Sequence, residues 1–198
     1  MKKTLMLLGV IVAVMGFSTE ASAKKMMIIN LDKGEMPTDV VGVEASLSEE
    51  HATTKGGLSL QLEVKAKAEG ATSEGWYVGE YGSVKRGVWD GYEYLRFDVF
   101  NPTKEMLPLN ITIRQGSLKL DSPIVARPGQ STLELQIAGL TDNKGAAFDL
   151  TTKLKAWNIN QYGAVKAKSV LFISNIRLET DGDEAAPKKE APKAKGKK

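Results

Sequence analysis

Residues 94–102 read Tyr94-Leu95-Arg96-Phe97-Asp98-Val99-Phe100-Asn101-Pro102, so apolar Leu95, Phe97 and Val99 alternate with charged Arg96 and Asp98 until a proline ends the run. A period of two puts the apolar side chains on one face of an extended chain, which is the pattern of a half-buried strand. Working outward, Leu58, Leu60, Leu62 and Val64 alternate with Ser59, Gln61, Glu63 and Lys65. Leu109, Ile111 and Ile113 alternate with Asn110, Thr112 and Arg114, and Leu133, Leu135 and Ile137 with Thr132, Glu134 and Gln136. Less regular candidates occupy 26–31, 40–47, 76–81, 154–160 and 170–179. Lys55-Gly56-Gly57, Asn101-Pro102-Thr103, Arg127-Pro128-Gly129 and Thr180-Asp181-Gly182 supply glycine or proline where strands must stop. About nine short strands with no intervening helices predict an all-β chain folded as a two-sheet antiparallel β-sandwich. The last candidate is apolar on both faces, with Leu171 and Ile173 on one and Val170, Phe172, Ile176 and Leu178 on the other, which predicts a central strand.

Composition narrows the chemistry. The chain has 198 residues, no cysteine, one histidine and 27 basic against 24 acidic side chains. Without cysteine there is no disulfide scaffold, zinc finger, iron-sulfur cluster or thiol nucleophile. His51 is the one imidazole available to a serine triad or a histidine base, and it sits in a turn, where a structural role is expected. Glycoside hydrolysis by two carboxylates stays formally open, but no nucleophile or acid-base motif can be named, so the chain is read as non-catalytic.

The two ends differ from the middle. Residues 1–23 have the form of a bacterial-type secretory signal: Lys2 and Lys3, an uncharged apolar run over 5–17, and Ala21-Ser22-Ala23 at the cleavage position. The apolar run is shorter than the 18 or so residues that span a bilayer, so a cleaved signal and a secreted or periplasmic mature chain, with no membrane span, are expected. Residues 181–198 turn to Ala, Pro, Lys and Glu with no aromatic or β-branched side chain, the composition of a disordered tail. The tail carries a net charge of +2 and the signal +1, which leaves residues 24–180 neutral. Such a tail either solubilises the chain or adheres to an anionic polymer of the cell envelope. It has no interleaved aromatics, so sequence-specific nucleic-acid binding is not expected.

Four segments within 24–180 resemble a family of secreted jelly-roll β-sandwiches, the carbohydrate-binding modules that accompany bacterial glycoside hydrolases. These are Glu50-His51-Ala52-Thr53 with Gly56-Gly57-Leu58-Ser59-Leu60, Trp89-Asp90-Gly91-Tyr92 running into Asn101-Pro102, Arg127-Pro128-Gly129-Gln130-Ser131-Thr132-Leu133, and the closing strand 171–178. Gln130 and Ser131 depart from the family's aromatic and Asn, and Ser174 stands where an Asp is usual. The resemblance implies non-catalytic binding of a poly- or oligosaccharide and a structural calcium ion, with no other cofactor required. It places Asp32 and Asn175 where the family has metal-ligand side chains, beside the carbonyls of the turn at 53–57. Ser174 lowers the charge of that site and hence its expected affinity. A structural or protein-interaction sandwich without sugar binding is the alternative reading, and a small polysaccharide-degrading enzyme the second.

Sugar recognition needs aromatic faces for C–H surfaces and planar polar groups for hydroxyls. Trp76, Tyr77 and Tyr81 lie in a glycine-rich stretch and form the candidate platform. Strand alternation offers Trp76 and Val78 a second destination, the core. Arg96, Arg114 and Gln136 are the candidate polar contacts, with Asn110, Glu134, Asn158 and Asn160 on the same kind of polar strand face; a merely solvated face is the competing reading.

Overall fold

Glycine 42 divides what the sequence presents as one strand. A computed structural model describes residues 23–65, 75–82, 84–162 and 169–181; the signal, apart from Ala23, and the tail beyond Asp181 lie outside them. Eleven strands are described, numbered here in chain order. These are β1 (Lys25–Met27), β2 (Asp39–Val41), β3 (Glu44–Ser48), β4 (Ser59–Val64), β5 (Trp76–Tyr81) and β6 (Tyr94–Asn101). They continue as β7 (Leu107–Gln115), β8 (Leu118–Ala126), β9 (Gly129–Gln136), β10 (Ala156–Gln161) and β11 (Ser169–Glu179). The one helical element among the described residues is a 3₁₀ turn, Leu31–Lys33. No helix among them is long and apolar enough to cross a membrane.

One sheet has the order β3-β4-β11-β6-β9, with β1 added to β11; the other has β2-β5-β10-β7-β8. Every pairing is antiparallel. The inner faces meet around Trp76, Trp89, Trp157, Phe97 and the aliphatic residues of the alternating strands, all buried. Burial of that apolar area drives the two sheets together.

The count of about nine is corrected to eleven at two places. Between β2 and β3 the chain leaves one sheet for the other at Gly42, whose φ of +72° favours glycine. A Cβ there would also stand 2.5 Å from the Gly75 carbonyl oxygen, so the corner excludes any side chain. β8 was hidden because Ser122 and Pro123 interrupt its alternation. It tolerates Pro123 as an edge strand, paired to β7 alone.

β11 is central, between β4 and β6. Its expected two-sided apolar pattern is corrected by a bulge: Ser174 pairs with Asp98 but Arg177 with Arg96, so one extra residue is accommodated. Asn175 takes a φ of +51° there. The bulge reverses parity, returning Ile176 and Leu178 to the face of Leu171 and Ile173, where all four are buried. Phe172 stays on the outer face, shielded by His51, whose ring stacks on Phe100 at 3.5 Å and meets Phe172 edge-on at 4.6 Å. The lone histidine thus packs its ring on two phenylalanines.

Candidate functional site

The outer face of the five-stranded sheet carries the candidate site, and the strand register builds it row by row. Tyr81, Ala156, Arg114 and Lys119 are aligned across β5, β10, β7 and β8. The next row is Gly79, Asn158, Thr112 and Asp121, and the one after it begins Tyr77, Asn160, Asn110. Partners in a row share a face, so tyrosines stand along β5 while amides and a guanidinium stand on β10 and β7. Gly79 and Ala156 keep the floor between them low. At Gly79 a Cβ would lie 2.2 Å from the Trp157 carbonyl oxygen, so the backbone itself fills that position. The result is a groove of about 250 Å³ walled by Val41, Tyr77, Tyr81, Arg114 and Tyr162, with Thr112, Asn158 and Asn160 among its polar lining.

A hydrogen-bonded chain orients the polar floor. Asn160 Nδ2 donates to Thr112 Oγ1 at 2.9 Å and to Asn158 Oδ1 at 2.7 Å, which fixes which end of its amide is which. The Thr112 hydroxyl donates to Asp121 Oδ1 at 2.6 Å, and the Tyr162 hydroxyl reaches the same oxygen at 3.2 Å. Lys119 pairs with Asp121 at 2.5 Å. Burial pushes the Asp121 carboxyl up, but the Lys119 and Thr112 hydrogen bonds and the Lys119 charge outweigh it and hold the group below the usual carboxylate range. Two polar atoms of the groove floor have no protein partner among the described residues. Asn158 Nδ2 has no acceptor, and Asn160 Oδ1, in a side chain only 2% exposed, has no donor. A buried acceptor without a partner is costly and marks a place where another group is wanted.

The six sequence-predicted contact residues separate into two groups. Tyr77, Tyr81 and Arg114 line the groove, Tyr77 and Arg114 half-buried and Tyr81 49% exposed. The expectation that Trp76 is an open stacking ring is corrected: it is 2% exposed, because its parity in β5 turns it inward. Its indole N–H donates to Gln161 Oε1 at 2.9 Å, so Trp76 forms part of the groove wall and leaves no free ring face. Arg96 and Gln136 do not join the groove. Both lie on the opposite sheet, in rows with Glu134 and Tyr94. Arg96 is bonded to Glu134, Glu179 and Asp181 and lies 4.3 Å from the Tyr94 ring centre. Sequence reading passed over Tyr162, which no alternation flags because it follows the end of β10.

Asp32 and Asn175 fail the test for a calcium cage. The Asp32 oxygens accept from Thr54 Oγ1 at 3.0 Å and from the Leu58 N–H at 2.8 Å. A Cβ on Gly57 would stand 2.6 Å from Asp32 Oδ1, so the turn closes against the carboxylate. Asn175 directs its amide nitrogen to Asp98 Oδ2 at 2.9 Å, offering a donor where a cation needs oxygen. Among the described residues no three His, Asp or Glu side chains are grouped to hold a metal. Hydrogen bonds between protein groups tie these turns.

The sequence matches no protein-family model and no curated protein. By fold, the chain is a jelly-roll β-sandwich of the kind seen in carbohydrate-binding modules. Solved structures of that shape include the family 11 carbohydrate-binding module of a cellulosomal cellulase of Clostridium thermocellum, with a TM-score of 0.53 at 16% identity, covering 78% of this chain and 94% of that one. Another is that family's module in complex with a β-1,3-1,4-mixed-linked tetrasaccharide, with a TM-score of 0.50 at 14% identity, covering 78% and 94%. An exo-β-agarase matches with a TM-score of 0.59 at 11% identity over 78% of this chain; the chain spans only 25% of that enzyme's length. At such identities the likeness is one of fold.

Proposed function

We propose that this chain is an exported, non-catalytic carbohydrate-binding protein that holds an oligosaccharide segment in the groove over β5, β10 and β7. The observation that carries the reading is the composition of that groove: tyrosines on its walls, and the half-exposed amide of Asn158 on its floor. Tyr77 and Tyr81 are four residues apart on one strand, about 13 Å by strand rise, which favours a chain of sugars over a single ring. Their faces take sugar C–H surfaces, and the Asn158 amide takes hydroxyls. The mixed-linked tetrasaccharide bound by the family 11 module supports a saccharide ligand. Against catalysis, none of the groove-lining residues described is a carboxylate, whereas retaining and inverting glycoside hydrolysis generally needs two. The signal-like segment at 1–23 supports export, and the basic tail supports contact with an anionic polymer of the envelope.

Native affinity electrophoresis in gels containing single polysaccharides tests this, with a reducing-sugar assay alongside. Retardation by at least one polymer, lost in Tyr81→Ala, and no release of reducing ends are expected. Absence of retardation by any neutral or acidic polymer would return the chain to the structural or protein-interaction reading. Product release would make it an enzyme.

A further inference from the structure

Four half-buried arginines stand on the two sheets and the loops beside them, and three of them have carboxylate partners. Arg86 is paired in two-toothed fashion with Glu35, Arg96 with Glu134, Glu179 and Asp181, and Arg177 with Asp98 and Glu179. Arg114 is the fourth. Among the described residues its guanidinium has no hydrogen bond and no ion pair, although it is half-buried in the groove wall. It is also the one charged side chain among the groove-lining residues described.

The acids of the same sheet face are engaged elsewhere. Asp121 is held by Lys119, Thr112 and Tyr162; Asp39 accepts from the Tyr81 N–H at 2.7 Å and from the Thr38 hydroxyl at 2.8 Å. Ala156 separates Arg114 from Tyr81 in their row, so open floor lies between a ring and a cation. Lys155 adds a second positive group at that end, with its ammonium 5.8 Å from the Tyr81 ring centre.

We infer that the saccharide taken by this groove is anionic, its carboxylate or sulfate ester seated against the Arg114 guanidinium while neighbouring sugar rings lie on Tyr77 and Tyr81. A planar guanidinium with free N–H groups matches either oxyanion with two parallel hydrogen bonds. The lining holds no carboxylate and Lys119 offsets the charge of Asp121 beside it, so such a ligand meets little repulsion, and Asn158 Nδ2 remains for hydroxyls of the same sugar chain. This inference rests on the groove being a saccharide site.

The test uses the full chain, so that the basic tail contributes equally to every variant. Wild type, Arg114→Gln and Arg127→Gln, an exposed position outside the groove, are run in affinity gels and titrated calorimetrically. The polymers are polygalacturonate and alginate for carboxylates, carrageenan for sulfate esters, and agarose and mixed-linked β-glucan as neutral references. The expected result is binding to one of the two anionic classes in preference to both neutral polymers, weakened at least tenfold by Arg114→Gln and unchanged by Arg127→Gln, at equal melting temperatures. The anionic class that is retained identifies the group. Equal binding of neutral and anionic polymers, or an Arg114→Gln variant that binds as wild type, overturns the inference and leaves the saccharide reading standing. Failure of every polymer to bind overturns both.

Discussion

Trp76 and Tyr81 begin and end the same strand, and an odd separation of five positions sends them to opposite faces. The prediction that follows is a contrast. Trp76→Ala opens a cavity in the core and is expected to cost about 3–5 kcal/mol in denaturant unfolding. Tyr81→Ala, at a ring half open to solvent, is expected to leave stability within about 0.5 kcal/mol and to weaken polysaccharide retention. Equal stability losses would place both rings in the core. A second residue-scale prediction concerns Glu35, which accepts two hydrogen bonds from Arg86 and one from the Asn30 N–H. The Arg86 hydrogen bonds, the Asn30 N–H and the charges of Arg86 and Lys85 outweigh burial and lower its pKa from 4.5 to about 2. A depressed acid stabilises the fold above its unfolded pKa and loses that contribution as pH falls through the folded one. Urea melts should therefore show wild type more stable than Glu35→Gln at pH 6, with the gap closing as pH falls from about 4.5 towards 2. A gap that does not change with pH would exclude the ion pair as its source.

At the scale of elements, the bulge in β11 decides which side chains form the core. Asn175 is the extra residue region's left-handed position, and its amide, with Thr53, Thr132 and Arg177, converges on the nearly buried Asp98. Burial raises the Asp98 pKa, but those hydrogen bonds and the Arg177 charge more than offset it, so the carboxylate stays ionised below the usual range. The knot fastens β6, β9, β11 and the turn at Thr53 to one another. Deleting Asn175 would remove the extra residue and leave an unbulged strand with Ile176 and Leu178 still facing inward, with loss of the amide hydrogen bond to Asp98. The expected outcome is unfolding that stays cooperative by circular dichroism at a lowered midpoint, and Asn175→Gly, which keeps the residue count and suits a positive φ, should fold likewise; a non-cooperative deletion variant would show that the bulge itself is required. The same hydrogen bonds explain a further expectation: because Asp32 and Asn175 are occupied by protein donors, calcium or a chelator should shift the melting temperature by less than about 1 °C. A larger calcium-dependent rise would mean that the turn rearranges to admit the ion.

For the whole molecule, the end of the sandwich falls one residue later than composition suggests. Asp181 belongs to the folded part, since its carboxylate meets Arg96 at 2.6 Å and its N–H donates to Glu93 at 3.1 Å. Removal of 182–198 should therefore leave the melting temperature and groove affinity unchanged while lowering retention on anionic surfaces at low salt. Removal that begins at 181 additionally strips one partner from Arg96. If retention is the same with and without 182–198, the tail has no adhesive role.

Alternation at 58–65, 94–102, 109–114 and 132–137 was enough for the sequence alone to determine an all-β sandwich, because a strand's side-chain period is a local property of neighbouring residues. Gly42, Pro123 and the Asn175 bulge were less legible, since each breaks the period at a single point whose meaning depends on which strand lies beside it. The candidate site was half legible for the same reason. Tyr77, Tyr81 and Arg114 carried the right chemistry, but so did Trp76, Arg96 and Gln136. Only the pairing of β5 with β10 and β10 with β7 puts a tyrosine, an alanine and an arginine in one row, and only the packing of the second sheet behind them consigns Trp76 to the wall. Side-chain type is written along the chain; the neighbours that make a groove come from residues up to some 80 positions away, and folding alone brings them together.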